Sequence, residues 1–181
     1  MKSFVDKTAY YVDPKIPKLI LKSLTDQVKD LTYKKSLMED GSDVSIRSSS
    51  NSWIHWDTWI AGIMHNLFIS ANNDFFNYEL NHFADAIQAT KYEVGQHYGW
   101  HVDQLYTGLL PRKLSMSLVL DTEFEGGELE LYHPPANKTN IIDIKAGHVC
   151  IFPSWIPHQV KPVTSGTRYS LVGWMNGPEF K

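Results

Sequence analysis

The sequence has a single cysteine, a small net charge and no long hydrophobic run, and each scarcity excludes a class of protein. With Cys150 as its only cysteine, the chain cannot form an internal disulfide, which excludes a disulfide-stapled secreted scaffold. The formal net charge of −3 at pH 7 gives no general basic surface for nucleic acid. No apolar stretch approaches the roughly 20 residues of a membrane-spanning helix. We therefore expect neither a nucleic-acid partner nor a membrane.

Length and composition favour a single domain. The 181 residues are enough for one sizeable hydrophobic core, and no internal repeat or Pro/Ser-rich linker divides them. Met1 to Asp6 lack the apolar core of a secretory signal. These features predict one domain over residues 1–181, in a soluble, cytoplasmic protein. The sequence does not indicate an oligomeric state.

The first half of the chain, residues 1–90, is predicted to be a largely helical support. Apolar residues recur there at the three- and four-residue spacing of a helix face, from Pro17 to Leu31 and from Asp57 to Phe68. They are Leu19, Ile20, Leu24, Val28 and Leu31, then Trp59, Ile60, Ile63, Met64 and Leu67. The run Asn72-Asn73-Asp74 predicts the end of the second helix, and the serine-rich stretch Ser42 to Asn51 predicts a loop.

The second half, residues 91–176, is predicted to form short strands. Apolar and small polar residues alternate, and turn signals such as Gly126-Gly127 separate the segments. The predicted strands are Leu114 to Leu120, Glu128 to Tyr132, Ile141 to Ile144, His148 to Phe152, Gln159 to Val163 and Arg168 to Trp174. Their even spacing indicates a β-sandwich or barrel. We expect the helices to pack on one outer face of it.

A possible metal-ligand set lies within these strands. Residues two apart in a strand project to the same face, so His101 and Asp103 can offer a nitrogen and a carboxylate oxygen to one ion. His158, from a distant strand, can close the site. Two histidines and one carboxylate that leave three positions open are typical of non-haem Fe(II) oxygenases. The His-x-Asp pair alone is a weak signal, because such short combinations arise by chance.

A carboxylate-binding pair follows the second histidine. Arg168 and Ser170 are predicted to lie on the same face of a strand. A guanidinium binds a carboxylate through two parallel hydrogen bonds, and a hydroxyl can add a third, which suits the distal carboxylate of 2-oxoglutarate. The spacing alone is equally compatible with a structural ion pair at Arg168.

Together these segments resemble the prolyl 4-hydroxylase-like branch of the 2-oxoglutarate/Fe(II)-dependent oxygenase superfamily. The resemblance covers roughly Tyr92 to Trp174, the C-terminal half. Its motifs stand in the family's order: Tyr92 with Gly95 and Tyr98, His101-x-Asp103, Arg112-Lys113-Leu114, Phe124-Glu125-Gly126-Gly127-Glu128-Leu129, Gly147, Phe152-Pro153, His158-Gln159-Val160, Arg168 and Trp174. The combination is far more specific than any one of these motifs.

The resemblance implies a double-stranded β-helix, or jelly roll, that hydroxylates a C–H bond and converts 2-oxoglutarate to succinate and CO2. It implies Fe(II) held by His101, Asp103 and His158, with 2-oxoglutarate and O2 as co-substrates, and it points to ascorbate binding. Arg168 and Tyr92 would then hold 2-oxoglutarate. Ser170 would assist them, and Trp174 would line the pocket or pack in its wall. A peptide or protein substrate, hydroxylated at a prolyl residue, is implied in the same way.

Two positions depart from the family pattern. Many animal members have a tyrosine on the second major strand that helps to hold the distal carboxylate, and Val119 occupies that place here. Collagen-type prolyl hydroxylases usually have a lysine where this chain has Arg168. Ser170, Ser117 or a water molecule is expected to supply the missing hydroxyl.

The substrate and some rival functions stay open. Loops at Gln104 to Arg112 and Ser42 to Asn51 are candidates for substrate contacts, and Trp100 and Tyr106 are favoured over Trp53. Another amino-acid residue or a small molecule is an alternative to proline. A cupin-like metal-binding domain or a non-catalytic jelly roll is an alternative to an oxygenase. A nucleic-acid dealkylase is disfavoured, because Trp174 replaces the second arginine that such enzymes usually carry.

Overall fold

The computed structural model describes residues 16–36, 46–104, 110–121, 123–133, 137–142 and 145–179. These residues form two α-helices, α1 (Lys18–Lys29) and α2 (Trp59–Ala71), with the π-helical turn Asn72–Phe76 after α2. They also form β1 (Lys34–Lys35), β2 (Arg47–Ser48), β3 (Ser50–Ile54), β4 (Ile87–Tyr92), β5 (His97–His101), β6 (Arg112–Val119), β7 (Phe124–Gly126), β8 (Leu129–His133), β9 (Lys138–Ile142), β10 (Val149–Pro153), β11 (His158–Val160), β12 (Val163–Gly166) and β13 (Arg168–Asn176). Among the described residues, no helix combines the length and apolar character that crossing a bilayer requires.

Both predicted helices are present, with one difference in the face that α1 buries. Leu24 and Val28 of α1 are fully buried, whereas Leu19 is 75% exposed. Leu19 was predicted on the apolar face, but it lies in the first turn of α1 and does not pack against the core. In α2, the Thr58 hydroxyl accepts a hydrogen bond from the Ala61 backbone N–H and caps the helix.

The α-helical part of the second helix ends at Ala71, as the run Asn72-Asn73-Asp74 predicts, but a π-helical turn that was not predicted follows it. The chain continues through this turn to Phe76, and the turn ends at Asn77, whose φ of 53° is left-handed. The reason lies in the Asn72 side chain, whose amide donates to the Tyr78 carbonyl and whose oxygen accepts from the Tyr78 backbone N–H, both at 2.9 Å. A residue expected to break the helix instead bonds the chain that follows it.

The strands form two main antiparallel sheets. The larger sheet has the order β1-β3-β4-β13-β6-β10, and the smaller has the order β2-β5-β11-β8-β9. A short pair, β12-β7, completes the arrangement of the described strands. The first half of the chain is therefore less helical than its pattern predicts, because β1 to β3 and most of β4 fall within it. The predicted loop from Ser42 is likewise corrected from Arg47 onward, where β2 and β3 pair with β5 and β4.

The six strands predicted in the second half are all present, with shifted ends. The predicted strand Gln159 to Val163 is divided into β11 and β12, because the pairing of β11 ends at Val160 and β12 pairs with β7 instead. The strand predicted at Ile141 to Ile144 begins earlier, as β9, and residues 143 and 144 lie outside the described part of the chain.

Two hydrophobic clusters place the helices outside and the site inside. One cluster packs α1 and α2 on the outer face of the larger sheet, as expected. The other fills the space between the two sheets, with Tyr92 and Phe152 from the larger and Leu129, Leu131 and Val160 from the smaller. Cys150 lies in this inner cluster and is fully buried. The inner space is where the polar residues of the candidate site converge.

Candidate active site

The structure brings His101, Asp103 and His158 together. Their ligand atoms all lie within 4.8 Å of one another. His101 and His158 are directly opposite each other on the paired strands β5 and β11. The Asp103 Oδ1 atom lies 3.6 Å from His101 Nε2, and the Asp103 Oδ2 atom lies 3.4 Å from His158 Nε2. Three side chains from two strands and a loop therefore face one point.

Backbone carbonyls fix how both imidazoles point. His101 Nδ1 lies 2.8 Å from the Gly99 carbonyl, and His158 Nδ1 lies 2.9 Å from the Ile156 carbonyl. A carbonyl only accepts hydrogen bonds, so each Nδ1 carries the proton and each Nε2 keeps a free lone pair directed at the shared point. This orienting hydrogen bond is the usual support of a metal-bound histidine.

Aromatic rings pack around these two imidazoles and hold them further. The Tyr98 ring stacks on His101 with centroids 3.5 Å apart, and Phe152 lies edge-on to His158 at 4.7 Å. The imidazoles themselves lie 4.1 Å apart, centroid to centroid. Rings locked in this way keep the ligand nitrogens in place before an ion arrives.

Asp103 is held by the backbone and by Arg112. Strand β5 ends at His101, so Asp103 does not share a strand with it, contrary to the prediction. Instead its backbone N–H donates to the Ser154 carbonyl at 2.9 Å. The Arg112 guanidinium donates to the Asp103 carbonyl at 3.3 Å, forms an ion pair with Asp85, and stacks 4.1 Å from the Trp174 ring. The carboxylate thus reaches the same point by another route.

Electrostatics favour the metal-binding state of these ligands. Burial by itself raises the pKa of the Asp103 carboxyl, but the facing His158 and His101 outweigh it, and the net pKa is lowered. Burial lowers the pKa of His158, which favours the neutral imidazole. An ionised carboxylate is the form of this ligand that a divalent cation requires.

The donor set fits a small divalent cation. Neighbouring ligands at about 2.1 Å from an octahedral ion lie about 3.0 Å from each other, so the observed spacings of 3.6 and 3.4 Å need to contract by only about 0.5 Å. Two nitrogens and one carboxylate on one side of the ion leave three coordination positions open, as in the 2-His-1-carboxylate centres of Fe(II) oxygenases.

Arg168 and Ser170 lie together at the base of the inner space. Arg168 is 1% exposed, and its guanidinium donates to the Ser170 hydroxyl at 2.8 Å. Burial lowers the pKa of Arg168, although an arginine stays cationic. No ion pair joins it to a carboxylate among the residues that the structure describes. A buried cation of this kind needs an anionic partner.

Tyr92 and the replaced tyrosine lie around this arginine. Tyr92 pairs with Arg168 across β4 and β13, and its ring centroid lies 5.6 Å from the Arg168 Cζ atom. Burial raises the pKa of Tyr92, so its hydroxyl keeps its proton. Val119 is opposite Ser170 on β6, as expected for a residue replacing the family's tyrosine, and Ser117 lies one pleat further along the same strand.

A cavity of about 880 Å³ opens beside the triad. Its wall includes the triad, Tyr92, Ser117 and Trp174. Arg168 and Ser170 are not part of the lining, since the guanidinium lies behind it next to Tyr92. Trp174 lines the cavity as predicted, and its Nε1 is buried without a hydrogen bond to any described residue, although it faces Asp103 closely enough to favour the ionised carboxylate.

Sequence reasoning missed three residues of this site. Arg47, Arg112 and Trp53 line the cavity, and Trp53 lies 6.5 Å from Trp174 between ring centroids. Trp100, which was favoured over Trp53, is 45% exposed and is not part of the lining. Tyr106 lies outside the described residues. A pairing of β2 with β5 and of β3 with β4 would have identified Arg47 and Trp53, but neither strand has a clear sequence signal.

Comparison with known sequences assigns a family to the second half of the chain. Residues 87–176 match the model of the 2OG-Fe(II) oxygenase superfamily, and this range runs from the start of β4 to the end of β13. The chain is 38% identical to a PKHD-type hydroxylase of Synechococcus sp. strain CC9902 over 92 residues, which are 50% of this chain and 40% of that protein. A PKHD-type hydroxylase of Prochlorococcus marinus is 38% identical over 91 residues, again 40% of its length. The match thus spans less than half the length of these relatives.

Solved structures share the fold. A Pseudomonas putida prolyl-4-hydroxylase superposes with a TM-score of 0.74 at 19% identity, covering 95% of this chain and 94% of that one. A Trichoplax adhaerens prolyl hydroxylase, solved with a peptide fragment of the hypoxia inducible factor oxygen degradation domain, superposes with a TM-score of 0.76 at 20% identity, covering 93% and 83%. These likenesses confirm the double-stranded β-helix.

The family match, the fold and the convergence of His101, Asp103 and His158 agree. The sequence resemblance is therefore confirmed at the level of the superfamily, whereas ascorbate binding and the roles of single residues stay predictions. Through residues 87–176 the chain belongs to the 2OG-Fe(II) oxygenase superfamily, whose members depend on Fe(II), 2-oxoglutarate and dioxygen.

Proposed function

We propose that this chain is an Fe(II)- and 2-oxoglutarate-dependent dioxygenase that hydroxylates a C–H bond. Substrate, 2-oxoglutarate and O2 give hydroxylated substrate, succinate and CO2, so one oxygen atom enters each organic product. The observation that carries the proposal is the triad with its two fixed imidazoles. Bound Fe(II) would supply the redox chemistry that couples decarboxylation to oxygen insertion.

The chain's own residues bind, orient and shield. His101, Asp103 and His158 hold the ion from one side, which leaves room for a bidentate oxo acid and for O2 on the other. Arg168, oriented by Ser170, pairs with the distal carboxylate of 2-oxoglutarate. Because the guanidinium lies behind the cavity wall beside Tyr92, binding requires a small movement of one of these two side chains. The buried surroundings exclude water from the reacting atoms.

A prolyl residue of a peptide or protein is the substrate that we favour. Support comes from the shared fold of two prolyl hydroxylases, one of which was solved with a peptide, and from a cavity that is larger than 2-oxoglutarate needs. Another amino-acid residue or a small molecule stays the alternative.

We also propose that residues 1–181 act as one domain and that the protein is cytoplasmic. The free, buried thiol of Cys150 is compatible with a reducing compartment.

The proposal is tested by product formation. The purified protein is incubated with Fe(II), 2-oxoglutarate, air and proline-containing peptides, and both succinate and a peptide mass gain of one oxygen atom are measured. Succinate that depends on both cofactors separates the oxygenase from a cupin-like binding domain. The Asp103→Ala variant is expected to lose at least about 100-fold in Fe(II) affinity, and its turnover with it.

The matched control is Asp74→Ala, since Asp74 is exposed on the turn after α2, away from the cavity. It should behave as the unmodified protein. Full turnover by Asp103→Ala, or succinate formation independent of added Fe(II) in metal-free protein, would contradict the proposal.

A further inference from the structure

The cavity wall carries more positive charge than the chain as a whole would suggest. Its described lining contains Lys34, Lys35, Arg47 and Arg112, but only one carboxylate, Asp103. Arg112 is paired with Asp85, and Asp103 belongs to the metal ligands. Lys34, Lys35 and Arg47 have no acidic partner among the described residues. A local cationic surface in a chain of net charge −3 therefore calls for an explanation.

Two of these cations converge on one residue. Lys34 is the cross-strand partner of Asn51 in the pairing of β1 with β3. Arg47 comes from the opposite sheet, donates to the Asn51 side-chain oxygen at 3.2 Å, and lies 4.6 Å from the Tyr98 ring. Lys34 and Arg47 thus come from two different sheets and line the cavity together with Asn51, and we call this part of the wall the cationic end of the cavity.

A continuous row of residues leads from this cationic end toward the co-substrate pocket. Lys34 pairs with Asn51, Asn51 with Thr90, and Thr90 with Ser170. With strands about 4.8 Å apart, the row from Lys34 to Ser170 spans about 14 Å, which is the spacing between the cationic end and the buried co-substrate pocket behind the cavity wall. The side chains of such a row point to the same face of the sheet.

Trp53 supplies an apolar contact along the way. It is 55% exposed, lines the cavity and lies 6.5 Å from Trp174. Aromatic rings of this kind pack against extended peptides while their edges stay in water. A different reading of Lys34 and Lys35 is that they protect the edge strand β1 from pairing with other chains. That reading does not explain Arg47, which lies on the other sheet and faces the cavity.

We propose that this cleft selects an extended peptide with acidic residues a few positions from the residue to be hydroxylated. Lys34 and Arg47 bind the acidic group, and Trp53 packs against the intervening chain. This specificity rests on the proposed dioxygenase function and narrows its substrate class. A single-stranded nucleic acid is a weaker fit to the same charge, because the overall charge of the chain is negative.

Binding of labelled peptides tests the proposal. Three nine-residue peptides have a central proline, glycine spacers and two glutamates, two glutamines or two lysines at each end. Fluorescence anisotropy is measured with the protein loaded with Fe(II) and 2-oxoglutarate, without oxygen. We expect the glutamate peptide to bind about tenfold more tightly than the glutamine peptide at low salt, and the difference to shrink as salt is added. The lysine peptide should bind most weakly.

Charge reversal provides the sharper comparison. Lys34→Glu should remove most of the tenfold preference, and Arg47→Gln should lower it as well. Lys18→Glu is the matched control, because Lys18 is exposed at the start of α1, and it should keep the preference. A single-stranded oligonucleotide of equal charge is included. If the oligonucleotide binds more tightly than the glutamate peptide, the assignment of the cleft to a peptide is overturned.

Acidic residues of the chain itself are the remaining competitor. Glu39, Asp40 and Asp43 come between β1 and β2 in the sequence, outside the described residues. All peptides are therefore also measured with these three replaced by Gln, Asn and Asn. Equal affinities for the glutamate and glutamine peptides in both proteins would overturn the inference. Succinate formation in the same preparations tests the proposed function separately. Turnover without a preference for the glutamate peptide would contradict only the proposed specificity. A preference for the glutamate peptide without turnover would contradict only the proposed dioxygenase function.

Discussion

Replacing Arg168 by methionine removes the one charge that we assign to 2-oxoglutarate. The guanidinium is 1% exposed, donates to Ser170, and has no carboxylate partner among the described residues. Methionine keeps much of the volume but none of the charge. Two consequences of opposite kind follow, one for the protein without 2-oxoglutarate and one for the complex.

Without 2-oxoglutarate, the variant should be nearly as stable as the unmodified protein. The buried, unpaired charge is costly, so its removal offsets the lost hydrogen bond to Ser170. With 2-oxoglutarate, loss of a buried charge pair costs about 3–5 kcal/mol, which is a weakening of about 150- to 5,000-fold. At a concentration one hundred times the unmodified protein's Kd, that protein gains about 2.7 kcal/mol, while the variant gains less than about 0.5 kcal/mol.

Thermal unfolding under anaerobic conditions with Fe(II) measures both effects. The expected shift of Tm on adding 2-oxoglutarate is about 5–10 °C for the unmodified protein and about 1 °C for Arg168→Met. Ser170→Ala keeps the charge and should lose only about fivefold in affinity. The reasoning is refuted if Arg168→Met keeps the full shift. It is equally refuted if Arg47→Met loses the shift while Arg168→Met does not, because Arg47 also lies near Tyr92.

Two further substitutions probe the supports of the site. Gly127 has a φ of +63°, and an added Cβ would lie 2.9 Å from the Arg168 Cδ atom. Gly127→Ala should therefore lower the free energy of unfolding, measured with denaturant, by about 1–2 kcal/mol. Because the added methyl group displaces Arg168, it should also weaken 2-oxoglutarate binding. Gly95→Ala is its control, because Gly95 has a φ of +82° but open space around it, so it should lose stability without losing affinity. Arg112→Met should lower Fe(II) affinity about tenfold by releasing the Asp103 backbone, as measured by Fe(II) titration, whereas Lys145→Met at an exposed position should not.

The second-half strands and the pair His101 and Asp103 were predictable because their signals are local, whereas His158 joined them through the order of the family's motifs. Alternation of apolar and polar residues appears within each strand, and His101 and Asp103 are close in sequence. The prediction still had the wrong reason for Asp103, which follows the strand rather than belonging to it. Its position depends on the Ser154 carbonyl and on Arg112, two contacts that no spacing in the sequence reveals.

The first-half strands could not be predicted in the same way. Strands β1 and β2 have two residues each and are formed by charged or polar residues. They exist because they pair with β3 and β5, so tertiary contacts outweigh their weak propensity. The cationic end of the cavity was missed for this reason, since Lys34 and Arg47 meet only after two separate sheets have formed.

The charges of the site explain why a dicarboxylate suits it better than a simple oxo acid. The metal ion would bring two positive charges, Asp103 contributes one negative charge, and Arg168 contributes one positive charge at the other end of the pocket. The site therefore has two net positive charges, which 2-oxoglutarate neutralises with one carboxylate at each end. An oxo acid with one carboxylate would leave Arg168 buried and unpaired, and the cost of that unpaired charge selects against it. If Arg168 binds the co-substrate as we propose, we expect the selectivity for 2-oxoglutarate to follow from burying a cation that has no carboxylate partner among the described residues, a feature that geometry at the metal alone would not provide.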